Sequence, residues 1–165
     1  MNVWQPAYIG IGSNLQDPPA QVLNAFEKLR SIPATRAVLL SPLFGSKPFG
    51  PVAQPDFVNA VAGIVTQLAP ENLLAQLHAL EQELGRPASH EKWGPRIVDL
   101  DLLIYGRERR TGPPLTLPHP GIVERNFVLY PLAAIAPDLD APGLGRVAQL
   151  KERMTAEGLW PLLKS

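Results

Sequence analysis

The sequence contains no cysteine, which excludes disulfide bonds, thiolate nucleophiles and zinc–thiolate sites. It also lacks any apolar run approaching the roughly 20 residues that a membrane-spanning helix requires. Residues 1–8 show no cationic stretch followed by an apolar run, so they do not resemble a signal peptide. From these absences we expect a protein of the cytoplasm that has no membrane partner.

An excess of charge of either sign is missing as well. Fifteen basic residues balance fifteen acidic ones, giving a formal net charge of zero. Proteins that bind nucleic acid usually carry a basic excess, so we expect no nucleic-acid partner. Hydrophobic residues make up 45% of the 165 residues, which predicts one compact domain over residues 1–165.

Periodic segments predict strands and helices that interleave without strict alternation. Strands are expected at 7–11, 37–41, 57–66 and 97–105, and helices after Asp17 and at 70–84, 126–136 and 147–152. Two long polar loops are expected at 43–56 and 86–95. This order predicts an α+β fold in which helices pack on a largely antiparallel sheet.

Two aspartates alternate with leucines in the segment VDLDL at 98–102. Because side chains of a strand alternate between faces, Asp99 and Asp101 project from one face with Cα atoms about 6.6 Å apart. Neighbouring carboxylates repel each other, and Mg²⁺ relieves this while completing its shell with water and phosphate oxygens. Two ions about 3.5–4 Å apart are typical of displacement at phosphorus. Two salt-bridged carboxylates at a sheet surface are the alternative interpretation.

The helix predicted at 70–84 carries a carboxylate within its apolar stripe. The leucines of that stripe are Leu73, Leu74, Leu77, Leu80 and Leu84. Glu81 falls among them and His78 lies at the edge, although a carboxylate on an apolar face is unfavourable unless it is paired. Glu81 is therefore either half of a structural ion pair with an arginine or a polar group that reaches a ligand site.

Phe57 and Asn59 are two residues apart on a predicted strand and so share a face. An aromatic ring beside an amide suits a flat heterocycle, which the ring stacks on and the amide hydrogen-bonds at its edge. The alternative is an ordinary core phenylalanine.

Cationic side chains flank the aspartate pair on both sides in the sequence. Arg86, Lys92 and Arg96 precede the pair, and His119 and Arg125 follow it. Phosphate groups need such donors, although a solvated charged face explains any one of them equally well. The glycine-rich stretch at 10–14 lacks the glycine–lysine ending of a phosphate-binding P-loop, so an ATP site here would need another design.

Four segments together resemble the 6-hydroxymethyl-7,8-dihydropterin pyrophosphokinase family. They are YIGIGSNL at 8–15, QPDFVNAV at 54–61, WGPRIVDLDLLIYG at 93–106 and LTLPHPGIVERNFVLYPLAAIAPDL at 115–139. The resemblance implies a ferredoxin-like α+β sandwich and transfer of pyrophosphate from ATP to the pterin hydroxymethyl group, with release of AMP, in folate synthesis. It also implies two Mg²⁺ ions on Asp99 and Asp101, and a free-standing enzyme that we expect to be a monomer.

The same resemblance implies a set of pterin-binding residues. Phe57 and Phe127 would sandwich the ring, and Asn59 would hydrogen-bond its edge. The loop around Ser46 and Phe49 would contact the pterin through backbone groups. Trp93 would close over the site.

For ATP, the resemblance makes Arg86 and Arg96 the catalytic arginines that grip the phosphates beside the two aspartates. His119 and Arg125 would be further nucleotide contacts. The remaining positions implied for ATP binding are Leu74, His78, Glu81, Lys92, Leu102 and Thr116. The resemblance also suggests that the loops at 43–56 and 86–95 close over the substrates.

Five positions depart from the family pattern. His78 stands where some members carry glutamine, Ala88 and Ser89 replace basic residues, Pro120 replaces an aromatic residue and Lys47 replaces a proline. They leave the aspartate pair and the central arginines unchanged, so activity is expected to survive.

Three other functions remain open from the sequence. One is a binding protein of the same fold that has lost catalysis. A second is a metal-dependent phosphohydrolase or nuclease, because a carboxylate pair on a strand suits those enzymes too. The third is a ferredoxin-like RNA-binding module, which the balanced charge disfavours.

Overall fold

The computed structural model describes residues 3–48, 50–51, 53–85 and 97–162. The strands in these ranges are β1 (Gln5–Ser13), β2 (Thr35–Leu40), β3 (Phe44–Ser46), β4 (Phe57–Thr66), β5 (Asp99–Tyr105), β6 (Asp140–Ala141), β7 (Gly145–Arg146) and β8 (Leu159–Pro161). The helices are α1 (Pro18–Leu29), α2 (Pro70–Glu83), α3 (Asn126–Ile135) and α4 (Val147–Glu152), with a short 3-10 helix at Pro120–Val123.

The main sheet has the strand order β5-β1-β4-β3-β8, and β2 pairs with β4 beyond the end of β3. Every pairing in it is antiparallel. Strands β6 and β7 form a separate two-stranded ribbon. Strand β5, which carries the aspartate pair, ends the sheet on one side.

Helices cover both faces of the sheet. Apolar side chains of α1 and α2, such as Val22 and Leu77, pack with Ile9 and Leu100 in one core cluster. On the opposite face, α3 and α4 pack over Val61 and Leu103. This arrangement confirms the predicted α+β sandwich of helices on a largely antiparallel sheet.

The helix signals in the sequence are reproduced with small shifts. Helix α1 begins after Asp17, whose carboxylate accepts a hydrogen bond from the backbone N–H of Ala20 at 3.4 Å. Helix α2 begins at Pro70 and is followed by Gly85 with a φ of 102°, a conformation that glycine adopts without strain. Within the described ranges, no helix combines the length and the apolar character needed to cross a bilayer.

The prediction of a continuous loop at 43–56 is wrong at its start. Residues Phe44–Ser46 form β3, which pairs with Phe57–Asn59 of β4 on one side and with β8 on the other. A strand of three residues is defined by its neighbours rather than by its own pattern. The predicted strand at 97–105 begins at Asp99, two residues later than expected.

Candidate active site

One row of paired residues crosses four strands of the sheet and brings the candidate residues together. Asp99 of β5 pairs with Gly12 of β1, Gly12 pairs with Asn59 of β4, and Asn59 pairs with Phe44 of β3. Because paired residues of antiparallel strands point to the same face, the carboxylate and the amide project from one face. This is the face covered by helix α3, since Val61, two residues after Asn59, packs in the cluster of α3.

Gly12 leaves open the space between the carboxylate and the amide. A Cβ atom at this position would lie 3.5 Å from Oδ1 of Asn59, so the amide oxygen leans over the glycine. Any larger side chain would occupy the room between Asp99 and Asn59. The glycine therefore leaves an open gap between these two side chains.

The two aspartates share a face, as the sequence predicts. Asp99 and Asp101 are half-buried, whereas Leu100 and Leu102 are buried in the core on the opposite face. The residue of β1 paired with Asp101 is Gly10, so the carboxylates border a part of the sheet that has no side chains on β1.

The donor set at this position suits magnesium. Among the described residues, no group of three or more histidine, cysteine, aspartate and glutamate side chains is arranged to hold a metal. A pair of carboxylates is what Mg²⁺ uses when water and phosphate oxygens complete its shell, whereas zinc prefers nitrogen and sulfur ligands. Asp99 and Asp101 therefore fit an ion that arrives with a polyphosphate.

Glu81 is buried in the core edge and is only 4% exposed. Its Oε2 accepts a hydrogen bond of 2.7 Å from the backbone N–H of Leu100, between the two aspartates. Among the described residues, β5 has no strand partner on this side, so the carboxylate accepts from a backbone N–H that the described strands leave unpaired. This bond connects α2 to the strand that carries the aspartates, and both interpretations of Glu81 from the sequence stay predictions.

His119 lies beside this row, and its backbone N–H donates to the carbonyl of Leu103 on β5 at 2.8 Å. Its Nδ1 accepts a hydrogen bond of 2.9 Å from the backbone N–H of Gly121, so the proton of the neutral ring resides on Nε2. Burial lowers the pKa of His119, and the nearby Arg125 lowers it further, against the opposing effect of Asp99 and Glu124. His119 is thus a neutral hydrogen-bond donor.

Arg125 packs against the same short helix as His119. A Cβ atom at Gly121 would lie 3.2 Å from Cδ of Arg125 and 3.0 Å from Nδ1 of His119. The glycine therefore allows both side chains to approach one backbone position. Together they place one cation and one neutral donor beside the β5 end of the row, and their contact with a nucleotide stays a prediction.

On the other side of Gly12, the amide of Asn59 is held by strand β3. Its Nδ2 donates to Oγ of Ser46 at 2.8 Å and to the carbonyl of Phe44 at 3.3 Å. These bonds use the amide N–H groups and leave Oδ1 as the acceptor over Gly12. Phe57, the pairing partner of Ser46, is half-buried next to them.

Phe127 lies in the first turn of α3, half-buried against the cluster on the same face of the sheet. Helix α3 packs against β4 and also contacts β3. The two aromatic residues predicted to hold a heterocycle thus come from opposite layers, Phe57 from the sheet and Phe127 from the helix above it.

The other predicted contacts differ in what they can offer. Leu74 is half-buried and His78 is exposed on α2, and Thr116 is half-buried in the segment before His119. Leu102 turns its side chain into the core with 2% exposure, so it can contact a ligand only through its backbone. Phe49, Arg86, Lys92, Trp93 and Arg96 lie outside the described residues, as does the predicted loop at 86–95.

Two contributions to the site were not predicted. The sequence predicts Gly12 only in a turn, whereas in the structure it pairs with both Asp99 and Asn59 and leaves the space between them open. Asn14 is buried, and its Nδ2 donates to Oε1 of Gln54 at 2.8 Å and to the carbonyl of Pro55 at 3.1 Å. These bonds hold the chain segment that leads into Phe57. A polar residue directly after an apolar strand was the available signal for Asn14.

The family model of 7,8-dihydro-6-hydroxymethylpterin-pyrophosphokinase matches residues 8–137, a range that contains the whole row. The chain belongs to this family. As a member it is a pyrophosphokinase that acts on 6-hydroxymethyl-7,8-dihydropterin, with ATP as co-substrate, in folate biosynthesis.

Relatives of similar length support the assignment. The 2-amino-4-hydroxy-6-hydroxymethyldihydropteridine pyrophosphokinase of Pseudomonas aeruginosa is 44% identical over 155 residues, covering 94% of this chain and 95% of the relative. The protein of the same name from Haemophilus influenzae is 43% identical over 144 residues, covering 87% and 89%. The pyrophosphokinase family is thus matched over most of the chain, beyond the short motifs.

Solved structures agree on the fold. A crystal structure of Plasmodium falciparum HPPK-DHPS wild type with pteroate superposes with a TM-score of 0.73 at 13% identity. The superposition covers 93% of this chain but only 43% of the Plasmodium chain, so this chain spans less than half of the longer protein. At this identity the likeness concerns the fold of the pyrophosphokinase alone.

Proposed function

We propose that the row from Asp99 to Phe44 is the centre at which this pyrophosphokinase joins its two substrates. The observation that carries the proposal is the gap at Gly12, with a carboxylate pair on one side and an oriented amide on the other. The polyphosphate lies on the β5 side and the pterin on the β3 side. The hydroxymethyl group and the β-phosphorus meet over the glycine.

The pterin occupies a space bordered by Ser46, Phe57, Asn59 and Phe127, which we call the pterin slot. Phe57 and Phe127 stack on the flat ring, and each such contact is worth about 1–3 kcal/mol. Oδ1 of Asn59 accepts hydrogen bonds from N–H groups at the edge of the ring, because its Nδ2 is already bonded to Ser46 and Phe44. The slot thereby prefers a ring whose edge carries N–H donors over a ring whose edge carries only acceptors.

The phosphates of ATP lie along Asp99 and Asp101. When bound there, two Mg²⁺ ions would neutralise phosphate charge and hold the reacting groups in line. His119 donates from Nε2 to a phosphate oxygen, and Arg125 contributes positive charge beside it. Arg86 and Arg96 are proposed to grip the same phosphates, and Lys92 to assist them, on the resemblance alone.

The reaction that this arrangement supports is an in-line displacement. The substrate hydroxyl oxygen forms a bond to the β-phosphorus, and the bond from that phosphorus to the α–β bridging oxygen breaks, releasing AMP. The hydroxyl loses its proton as the bond forms, and Asp99 is the nearest carboxylate on the row that can accept it. Positioning and electrostatic stabilisation account for most of the catalysis in phosphoryl transfer.

We further propose that residues 1–165 act as one domain, as a monomer in the cytoplasm, with no nucleic-acid or membrane partner. The zero formal net charge supports the absence of a polyanion partner. Glu81, Leu74, His78, Leu102 and Thr116 are proposed to border the nucleotide. Closure of the loops at 43–56 and 86–95 stays a proposal based on their length.

A product assay tests the proposed function. The protein is incubated with ATP, Mg²⁺ and 6-hydroxymethyl-7,8-dihydropterin, and nucleotides are separated by chromatography. AMP that appears only when both the metal and the pterin are present is the expected product. ADP would refute the reaction type, and ATP cleavage that needs no pterin would instead support a phosphohydrolase.

A further inference from the structure

The segment 155–161 contacts strand β3, which borders the pterin slot on one side. Its strand β8 pairs with β3 so that Gly45 faces Trp160 and Ser46 faces Leu159. The backbone N–H of Lys47 donates to the carbonyl of Gly158 at 2.9 Å. Strand β3 is therefore held on both edges, by β4 and by this segment.

Trp160 lies against the backbone of Gly45. A Cβ atom at Gly45 would lie 2.3 Å from Nε1 and 2.4 Å from Cε2 of the indole, closer than real contacts allow. Since side chains alternate along a strand, the indole backs β3 from the face opposite the Ser46 side chain. Trp160 thus supports the position of Ser46, and through Ser46 that of the Asn59 amide. The indole itself lies on the opposite face of β3 and does not border the slot.

The same segment is attached to helix α3, which borders the slot on the other side. Nδ2 of Asn126 donates to the carbonyl of Thr155 at 3.0 Å and to that of Glu157 at 2.8 Å. Asn126 is the first residue of α3 and the direct neighbour of Phe127. Just before the segment, the hydroxyl of Tyr130 donates to the carbonyl of Met154 at 2.7 Å.

We infer that the segment 155–161 fixes the spacing of the pterin slot by joining its two walls, with Trp160 and Asn126 as positioning residues. Trp160 determines where β3 presents Ser46, and Asn126 determines where α3 presents Phe127. The segment lies outside residues 8–137, which the family model matches. The inference rests on the proposed function, because it assigns Ser46, Asn59 and Phe127 to pterin binding.

Kinetics of four variants and one control test this inference. The variants are Trp160→Ala, Trp160→Phe, Asn126→Ala and the double variant Trp160→Ala with Asn126→Ala. The control is Trp4→Ala, which removes an exposed tryptophan that stacks on Arg36 rather than on the slot. AMP release gives the KM for pterin and for ATP, and calorimetry gives the pterin Kd in the presence of a non-hydrolysable ATP analogue.

Each single alanine variant, Trp160→Ala or Asn126→Ala, is expected to raise the pterin KM and Kd about tenfold, because small misplacements of binding groups are costly. The KM for ATP should change by less than about twofold, a split that general destabilisation would not produce. Trp160→Phe, which keeps a flat ring behind Gly45, should recover most of the loss. The double variant should lose less than the product of the two single effects, because both act through one segment.

A pterin KM that stays at the wild-type value in both alanine variants would overturn the inference, as would equal rises in both KM values. If Trp160→Ala does not fold, Asn126→Ala decides alone, since its side chain is half-buried at the surface. Failure of the wild-type protein to release AMP would refute the proposed function itself. Normal wild-type turnover with unaffected variants would refute only the role of the segment.

Discussion

The carboxylate of Glu81 accepts a hydrogen bond of 2.7 Å from the backbone N–H of Leu100, the residue between Asp99 and Asp101. Glu81 stands in the leucine stripe of α2, where an acidic side chain would otherwise be unfavourable. The stripe and the site are therefore linked, because the helix that packs the core also fixes the strand that carries the carboxylates.

Replacing Glu81 by leucine is expected to lower the free energy of unfolding by about 1–3 kcal/mol, because a buried N–H loses its acceptor. Glu81→Gln keeps an acceptor oxygen and should lose less. Urea denaturation measures both, with Glu83→Gln as the control, since Glu83 is exposed on the same helix and pairs with Lys28 at 3.5 Å. Equal stability of the leucine variant and the wild type would contradict this role of the hydrogen bond.

Removal of either carboxylate is expected to abolish metal-dependent turnover without unfolding the protein. Asp99→Ala and Asp101→Ala should each lower AMP production by about 100-fold or more, because each removes charge stabilisation at the reacting phosphates. Circular dichroism checks the fold, and Asp140→Ala, an exposed carboxylate on β6, serves as the control. A variant that turns over at the wild-type rate would refute the metal assignment.

Loss of the aromatic ring of Phe127 is expected to weaken pterin binding selectively. A stacking contribution of about 1–3 kcal/mol corresponds to a rise of about 5- to 150-fold in the pterin KM for Phe127→Ala. Phe127→Tyr keeps the ring and should stay near the wild-type value. Steady-state kinetics with each substrate varied in turn makes the comparison, and losses of the same size for ATP and pterin would contradict stacking.

The lowered pKa of His119 predicts that folding stability declines in acid. The unfolded state binds a proton at the ordinary pKa of 6.5, whereas the folded state binds it only at lower pH. The contribution of the neutral His119 to folding stability is therefore fully present above pH 6.5. This contribution is lost as the pH falls through the folded pKa. Burial of the ring lowers this pKa most and Arg125 lowers it further, whereas Asp99 and Glu124 raise it.

NMR titration of the His119 ring should give a pKa below 6.5, and urea denaturation across the same pH range should show the loss. In His119→Gln this part of the pH dependence should disappear, since no ring remains to be protonated. A titration midpoint at or above the ordinary value would show that burial does not control this histidine.

The elements with strong local patterns were predictable from the sequence. Strand β4 occupies the predicted residues 57–66, and α1 begins after Asp17 as its capping residue suggests. The shared face of Asp99 and Asp101 follows from the period of two in any strand. These features depend on residues close together in the chain, so composition and spacing are sufficient.

The features that were missed depend on distant partners. Strand β3 exists because Phe57–Asn59 and Leu159–Pro161 lie on its two edges, and nothing in its three residues specifies this. Leu100, whose N–H bonds to Glu81, is 19 residues away, so the sequence indicates that a partner is needed without identifying this one. Gly12 becomes part of the site only through its register with Asp99 and Asn59.

The outer edge of β5 has a consequence for how copies of this chain can associate. A free edge strand invites pairing with another molecule. Here, bonds to Glu81 and His119 occupy the N–H of Leu100 and the carbonyl of Leu103, and the strand carries two like charges. Growth of the sheet past β5 would have to break both bonds, so the contacts that Glu81 and His119 make with this strand also oppose edge-to-edge aggregation.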